Sequence, residues 1–172
     1  MKPHIFIAAA AFAVLSTGCG QDVKTVAEFP INSAEGIISQ SAVTFDAAIS
    51  SDGNGSAKIV AADSMTLRLF EVTAIEIEPM RSARLTYQAK LHTENLRGKA
   101  FLEMWCQFQG KGRFFSRDLQ NPLTGTTEWT TVQTPFFLKP GEKPELVLLN
   151  LVITGPGTVW VDEVELLQAP GE

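Results

Sequence analysis

The strongest constraint on what this chain can fold into is its punctuation. From Phe29 onward, short apolar runs are separated by Asp52-Gly53-Asn54-Gly55, Asn95-Leu96-Arg97-Gly98, Gly110-Lys111-Gly112, Asn121-Pro122, Lys139-Pro140-Gly141 and Gly155-Pro156-Gly157. Glycine supplies positive φ, proline removes a backbone donor, and Asn and Asp bond their own backbone, so each cluster ends an element. No window between them sustains a 3.6-residue apolar period. Short strands with turns at such intervals predict an all-β sandwich or barrel. The chain of 172 residues suits one domain with a sizeable core.

Two of the strands declare their faces. In 84–92 the odd positions Leu85, Tyr87, Ala89 and Leu91 are apolar, and Arg84, Thr86, Gln88, Lys90 and His92 alternate with them. In 100–108 the even positions Ala100, Leu102, Met104, Cys106 and Phe108 are apolar, against Phe101, Glu103, Trp105 and Gln107. Period-two alternation means one packed face and one open face. The link 93–99 suits a hairpin loop. Matching apolar faces in an antiparallel pair puts Met104 opposite Tyr87 and Leu102 opposite Ala89. On the open face Trp105 then stands near Thr86, Glu103 near Gln88, and Phe101 near Lys90.

The N-terminus has a separate logic. Lys2 is followed by an uncharged apolar run from Ile5 to Leu15, and then by Leu15-Ser16-Thr17-Gly18-Cys19. A positive start, a short apolar core and small residues before a cleavage point read as a secretory signal peptide. The run is shorter than the ~20 residues needed to span a bilayer. A cysteine directly after that point resembles the lipobox of bacterial lipoproteins, which implies that Cys19 is acylated. Ordinary secretion remains the alternative, because Ser16 is less typical at its lipobox position. The expected division is a signal peptide at 1–18, a tether at 19–28, a domain at 29–168 and a tail at 169–172. The expected location is the bacterial envelope, lipid-anchored, and by the same resemblance the outer membrane, since Gly20 rather than Asp follows Cys19.

Charge and residue counts remove several chemistries. The formal charge is −5, and loss of Lys2 with the leader makes the chain more acidic. Nucleic acid selects basic faces, so it is not an expected partner. His4 leaves with the leader, so His92 is the sole remaining histidine and a His/Cys zinc site lacks ligands. Cys19 is committed to the anchor, and Cys106 reads as a buried strand residue. A serine triad has no evident base. Paired carboxylates for glycoside hydrolysis would have to be Glu103 with Asp162 or Glu163, and ordinary surface carboxylates outweigh that reading. No enzyme is expected.

The open face carries more. Trp105, Phe101, Gln88, Gln107, Glu103, Thr86 and Lys90 combine aromatic surface with planar hydrogen-bonding groups. Sugars need that mixture, an apolar ring face to stack and polar tips for hydroxyls. The competing reading is that loops or strands cover Trp105 and Phe101 as second-layer packing. Trp129 and Trp160 read as core or edge anchors.

The C-terminal stretch Gly157-Thr158-Val159-Trp160-Val161-Asp162-Glu163-Val164-Glu165-Leu166-Leu167 resembles the closing strand of galactose-binding-like jelly rolls, found in many carbohydrate-binding modules. Gly125-Thr126-Thr127-Glu128-Trp129, Pro135-Phe136-Phe137-Leu138 and Leu148-Leu149-Asn150-Leu151 fit the same pattern. The resemblance covers about 29–168 and implies a jelly-roll β-sandwich, with sites that vary between members. It also extends to uncharacterised bacterial secreted proteins around 99–106 and 114–117. In many such modules the acid of the closing motif helps hold a structural Ca²⁺, and Asp162 matches that position, with further oxygen ligands unassigned. The alternation shifts phase across Asp162-Glu163, which predicts a β-bulge there. The expectation is therefore a non-catalytic, lipid-anchored module that binds glycan on the Trp105 face. The alternative is a protein–protein or structural module of the envelope, with Arg84, Lys90, Arg113 and Arg117 as rim.

Overall fold

A computed structural model describes residues 23–73, 75–77 and 82–171. The expected signal peptide at 1–18 and the expected acylation site Cys19 lie outside the described residues. Among the described residues nine strands follow in order: β1 (Lys24–Phe29), β2 (Thr44–Asp46), β3 (Ser56–Ala61), β4 (Met65–Thr73), β5 (Ala83–Phe108), β6 (Gly112–Arg117), β7 (Leu123–Leu138), β8 (Leu146–Ile153) and β9 (Gly157–Pro170). Among the described residues the one helical element is a 3-10 turn at Gln40–Ala42. The architecture is the jelly-roll β-sandwich that the turn spacing and the closing strand predict.

One curled sheet supplies both layers, because β5 runs through the two. Its first half pairs with β9 on one side and β7 on the other, from Leu85↔Gln168 and Leu85↔Phe136 onward. Its second half pairs with β8 and β6, as in Met104↔Leu149 and Met104↔Ser116. Layer one is therefore β2-β3-β9-β5-β7, with β1 alongside β3 on the outer side of β9. Layer two is β4-β8-β5-β6. The apolar faces meet between them. Leu85, Tyr87, Ala89 and Leu91 with Val159, Val161 and Ile59 face Leu102, Met104, Cys106, Leu149, Leu151 and Leu67 in one buried cluster. Burial pushes the Tyr87 phenol and the Cys106 thiol upward, the latter to about 12, so neither ionises near neutral pH.

The alternation of both segments of β5 matches the sequence reading, but their pairing does not. Residues 84–92 and 100–108 share no ladder, so Met104 is not opposite Tyr87, nor Trp105 beside Thr86. The 93–99 link is a bend, not a hairpin loop. Asn95 takes φ 52° and Leu96 is buried. The bend docks on the turn before β9: Arg97 N–H donates to Pro156 O at 2.9 Å, and Lys99 N–H to Thr154 Oγ1 at 3.0 Å. Glycine is required at this contact, since a Cβ on Gly98 would sit 2.6 Å from the Thr154 carbonyl carbon. The tether expectation also needs correction, because Lys24 to Glu28 form most of β1 and pair with β9. The predicted bulge is present, with Gln88↔Glu165 followed by Lys90↔Asp162 and with Glu163 at φ 46°.

Candidate functional site

The bend in β5 divides the seven residues expected on one open face between two. Trp105, Gln107, Glu103 and Phe101 stand on the outer face of layer two. Thr86, Gln88 and Lys90 stand on the outer face of layer one. The division follows from strand partners, since inward residues of both halves share one core.

On layer two, cross-strand register builds two rows. One is Phe115–Trp105–Leu148–Glu71 and the next is Arg117–Glu103–Asn150–Arg68. The Trp105 and Phe115 rings meet at 4.9 Å with a 43° tilt, and Phe115 is 52 % exposed. The Arg117 guanidinium lies 4.6 Å over the Phe115 ring. Glu103 is 3 % exposed and acts as the hub beneath this platform. Its Oε1 accepts from Trp105 Nε1 at 2.7 Å and from Asn150 Nδ2 at 2.9 Å, and its Oε2 accepts from Arg117 Nε. Burial raises the Glu103 pKa, while bonds from Asn150, Trp105 and Arg117 and the Arg117 charge lower it by more, so it stays below the ordinary glutamate range. Glu103 is therefore a positioning group, with its oxygens already engaged. Phe101 is buried and forms floor, not contact surface. Gln107 donates to Glu145 at 2.7 Å and accepts from Arg113 at 2.7 Å. Asn150 Oδ1 and Arg68 Nε, in one cross-strand row, are buried without partners. The sequence reading left Phe115 out of this site and gave Arg117 only as rim of the alternative interface, because β6 reads as a short edge strand with no partner face to align.

On layer one, Gln88 donates to Glu165 at 2.6 Å. Further along the same face His92 lies 4.9 Å from the Trp160 ring and 5.6 Å from the Trp129 ring. Lys58 stands 5.0 Å over Trp160, whose indole N–H donates to Asp46 Oδ2 at 3.0 Å. That bond, followed by the Ala48 N–H, holds the Asp46 carboxyl below the usual range. Trp160 is 4 % exposed, an anchor as expected, whereas His92 Nδ1 is buried without a partner. The row was hidden because Trp129 follows irregular β7 pairing.

Asp162 is buried and serves as a latch between β9 and the 50–55 loop. Its Oδ2 accepts from Ser51 N–H at 3.0 Å and Ser51 O–H at 2.9 Å, and its Oδ1 from Glu163 N–H at 2.8 Å. Glu28, Asp52, Glu163 and Glu165 line a recess nearby, yet among the described residues no three His, Cys, Asp or Glu side chains could hold a metal ion together. Calcium takes six to eight oxygens, and both Asp162 oxygens already accept hydrogen bonds within the chain. Glu103 and Asp162 stand on different layers, each in its own hydrogen bonds, and form no carboxylate pair.

No family model matches the chain, and no curated protein matches it. Solved structures do. The CBM22-1 xylan-binding domain from Paenibacillus barcinonensis Xyn10C aligns with TM-score 0.58 at 10 % identity, over 89 % of this chain and 99 % of that one. The CBM22-1-GH10 modules of a Clostridium thermocellum endo-1,4-β-D-xylanase, complexed with xylohexaose, align with TM-score 0.56 at 10 % identity, over 83 % of this chain and 28 % of that one. A family 16 carbohydrate-binding module aligns with TM-score 0.51 at 13 % identity, over 83 % and 99 %. At these identities the likeness is one of fold: the chain has the jelly-roll sandwich of carbohydrate-binding modules.

Proposed function

We propose that this chain is a non-catalytic glycan-binding module, tethered to a bacterial envelope through an acylated Cys19. The observation that carries the reading is the Trp105–Phe115 platform on layer two, whose indole is fixed by a buried carboxylate. A pyranose ring stacks its C–H face on such a surface. Structures of the same fold that bind xylan or hold xylohexaose give the reading its context. Attachment rests on the lipobox-like Leu15-Ser16-Thr17-Gly18-Cys19.

A second reading is a protein-interaction module of the envelope. It is favoured by exposed Phe114, Phe115, Leu119 and Phe137, large apolar groups near the β6 and β7 edges. Affinity electrophoresis against a polysaccharide panel, beside sedimentation over a concentration series, separates the two. Retardation by a polymer with no self-association supports glycan binding. Self-association or protein capture with no retardation supports the interface.

A further inference from the structure

We propose that the recess on the outer face of β5 and β7, built by Arg84, Thr86, Gln133, Pro135 and Phe137, binds the carboxylate of a hexuronate residue in the glycan chain. The inference rests on the glycan reading above and specifies an acidic sugar within it. The recess has a volume of about 150 Å³. The Arg84 side chain makes no hydrogen bond or ion pair among the described residues, and its Nε is buried without a partner. Its cross-strand neighbours are Ala169 on β9 and Phe137 on β7, neither of which has a side-chain acceptor. Among the described residues, two acids toward this face are engaged elsewhere. Glu165 accepts from Gln88, and Asp118 accepts from Gln120 N–H, Asn121 N–H and Asn121 Nδ2.

A guanidinium with an unmet buried N–H is costly until an acceptor arrives, and its planar fork matches a carboxylate. Phe137, 60 % exposed, pairs across the strands with Arg84 and offers a ring face. Thr86 and Gln133 add hydroxyl and amide partners. An inorganic anion would leave Phe137 unused, and a neutral sugar would leave Arg84 unmet. A pyranose bearing a carboxylate uses both. A larger recess, about 440 Å³, adjoins through shared Gln133 and Pro135 and is also lined by Arg117 and Leu119.

The test is calorimetric titration of the full-length protein with polygalacturonate and alginate, each before and after carboxyl reduction, and with neutral xylan. Wild type is expected to bind an acidic polymer at least about tenfold more tightly than its reduced form, the scale of a charged hydrogen-bonded pair. Arg84→Gln is expected to erase that preference. Phe137→Ala is expected to weaken both forms, and it carries the test if the Arg84 variant does not fold. Equal affinity of wild type for native and reduced polymers overturns the inference, as does a folded Arg84→Gln protein that keeps the preference. Neutral binding that depends on Trp105 but shows no acid preference overturns this inference alone. No binding to any polymer overturns the glycan reading with it.

Discussion

Replacing Glu103 with Gln probes the hub beneath the aromatic platform without changing its shape. In the native protein one carboxylate oxygen accepts from the Trp105 indole and the Asn150 amide, and the other from Arg117. Glutamine can keep its carbonyl toward Trp105 and Asn150, but then turns an NH₂ toward Arg117. One charge-assisted bond is lost and two donors face each other. Arg117 is partly exposed, so water recovers some of the loss, and the screened ion pair adds little of its own. The net cost is about 1–3 kcal/mol at pH 7, the range for a hydrogen bond to a charged group. For a domain of this size that lowers Tm by roughly 3–9 °C. The sign of the pH dependence follows from the lowered Glu103 pKa. The stabilisation is fully present above the ordinary glutamate value of 4.5 and is lost as pH falls through the lower folded value. The wild-type advantage over Glu103→Gln should therefore shrink in acid. Calorimetric Tm values of both proteins across that pH range read it directly. Equal Tm at pH 7, or a deficit that does not change in acid, refutes the assignment of Glu103 as an ionised hub.

Asp162→Ala removes the acceptor for Ser51 and Glu163, and denaturant unfolding should show a loss of about 1–3 kcal/mol, because these donors are partly buried. Since the acidic side chains near Asp162 do not converge as metal ligands, thermal melts with EDTA and with excess Ca²⁺ should superpose; a Ca²⁺-dependent rise in Tm would contradict that arrangement. Gly98→Ala should destabilise by more than 1 kcal/mol, roughly the scale of overpacking, since its new methyl meets the Thr154 backbone and no side chain there can yield; an unchanged denaturant midpoint would contradict the docked bend.

The legible part of the fold was local. Alternation in 84–92 and 100–108 identified the inward residues of both halves of β5, because burial on one face of a strand imposes period two. The break at Asp162-Glu163 located a bulge for the same reason. Pairing was not legible. Apolar faces fix register only once the partner is known, and Leu102, Met104 and Cys106 align as well with Leu151, Leu149 and Val147 as with residues of 84–92. Asn95 and Gly98 look like loop residues in either case. What distinguishes a bend is its docking on Thr154 and Pro156, over fifty residues away. The candidate site suffered accordingly. Trp105 was visible as an outward aromatic, but its neighbours came from the wrong strand; Phe115 entered only with the β5–β6 register, and Arg117, a rim residue of the alternative reading, gained its place beside Glu103 from that register. Lys24 to Glu28 looked like tether because a strand at the rim of the sandwich needs few apolar residues.

Whether the Trp105–Phe115 platform binds glycan is decided by one comparison. Wild type, Trp105→Ala, Phe115→Ala and Trp129→Ala are run together in affinity electrophoresis against the same polysaccharides, with circular dichroism to establish folding. The account predicts that wild type is retarded, that folded Trp105→Ala and Phe115→Ala lose about tenfold or more in affinity, and that Trp129→Ala on the other layer keeps it. A folded Trp105→Ala protein that binds at full affinity while Trp129→Ala does not would move the site to the His92 row and contradict the account.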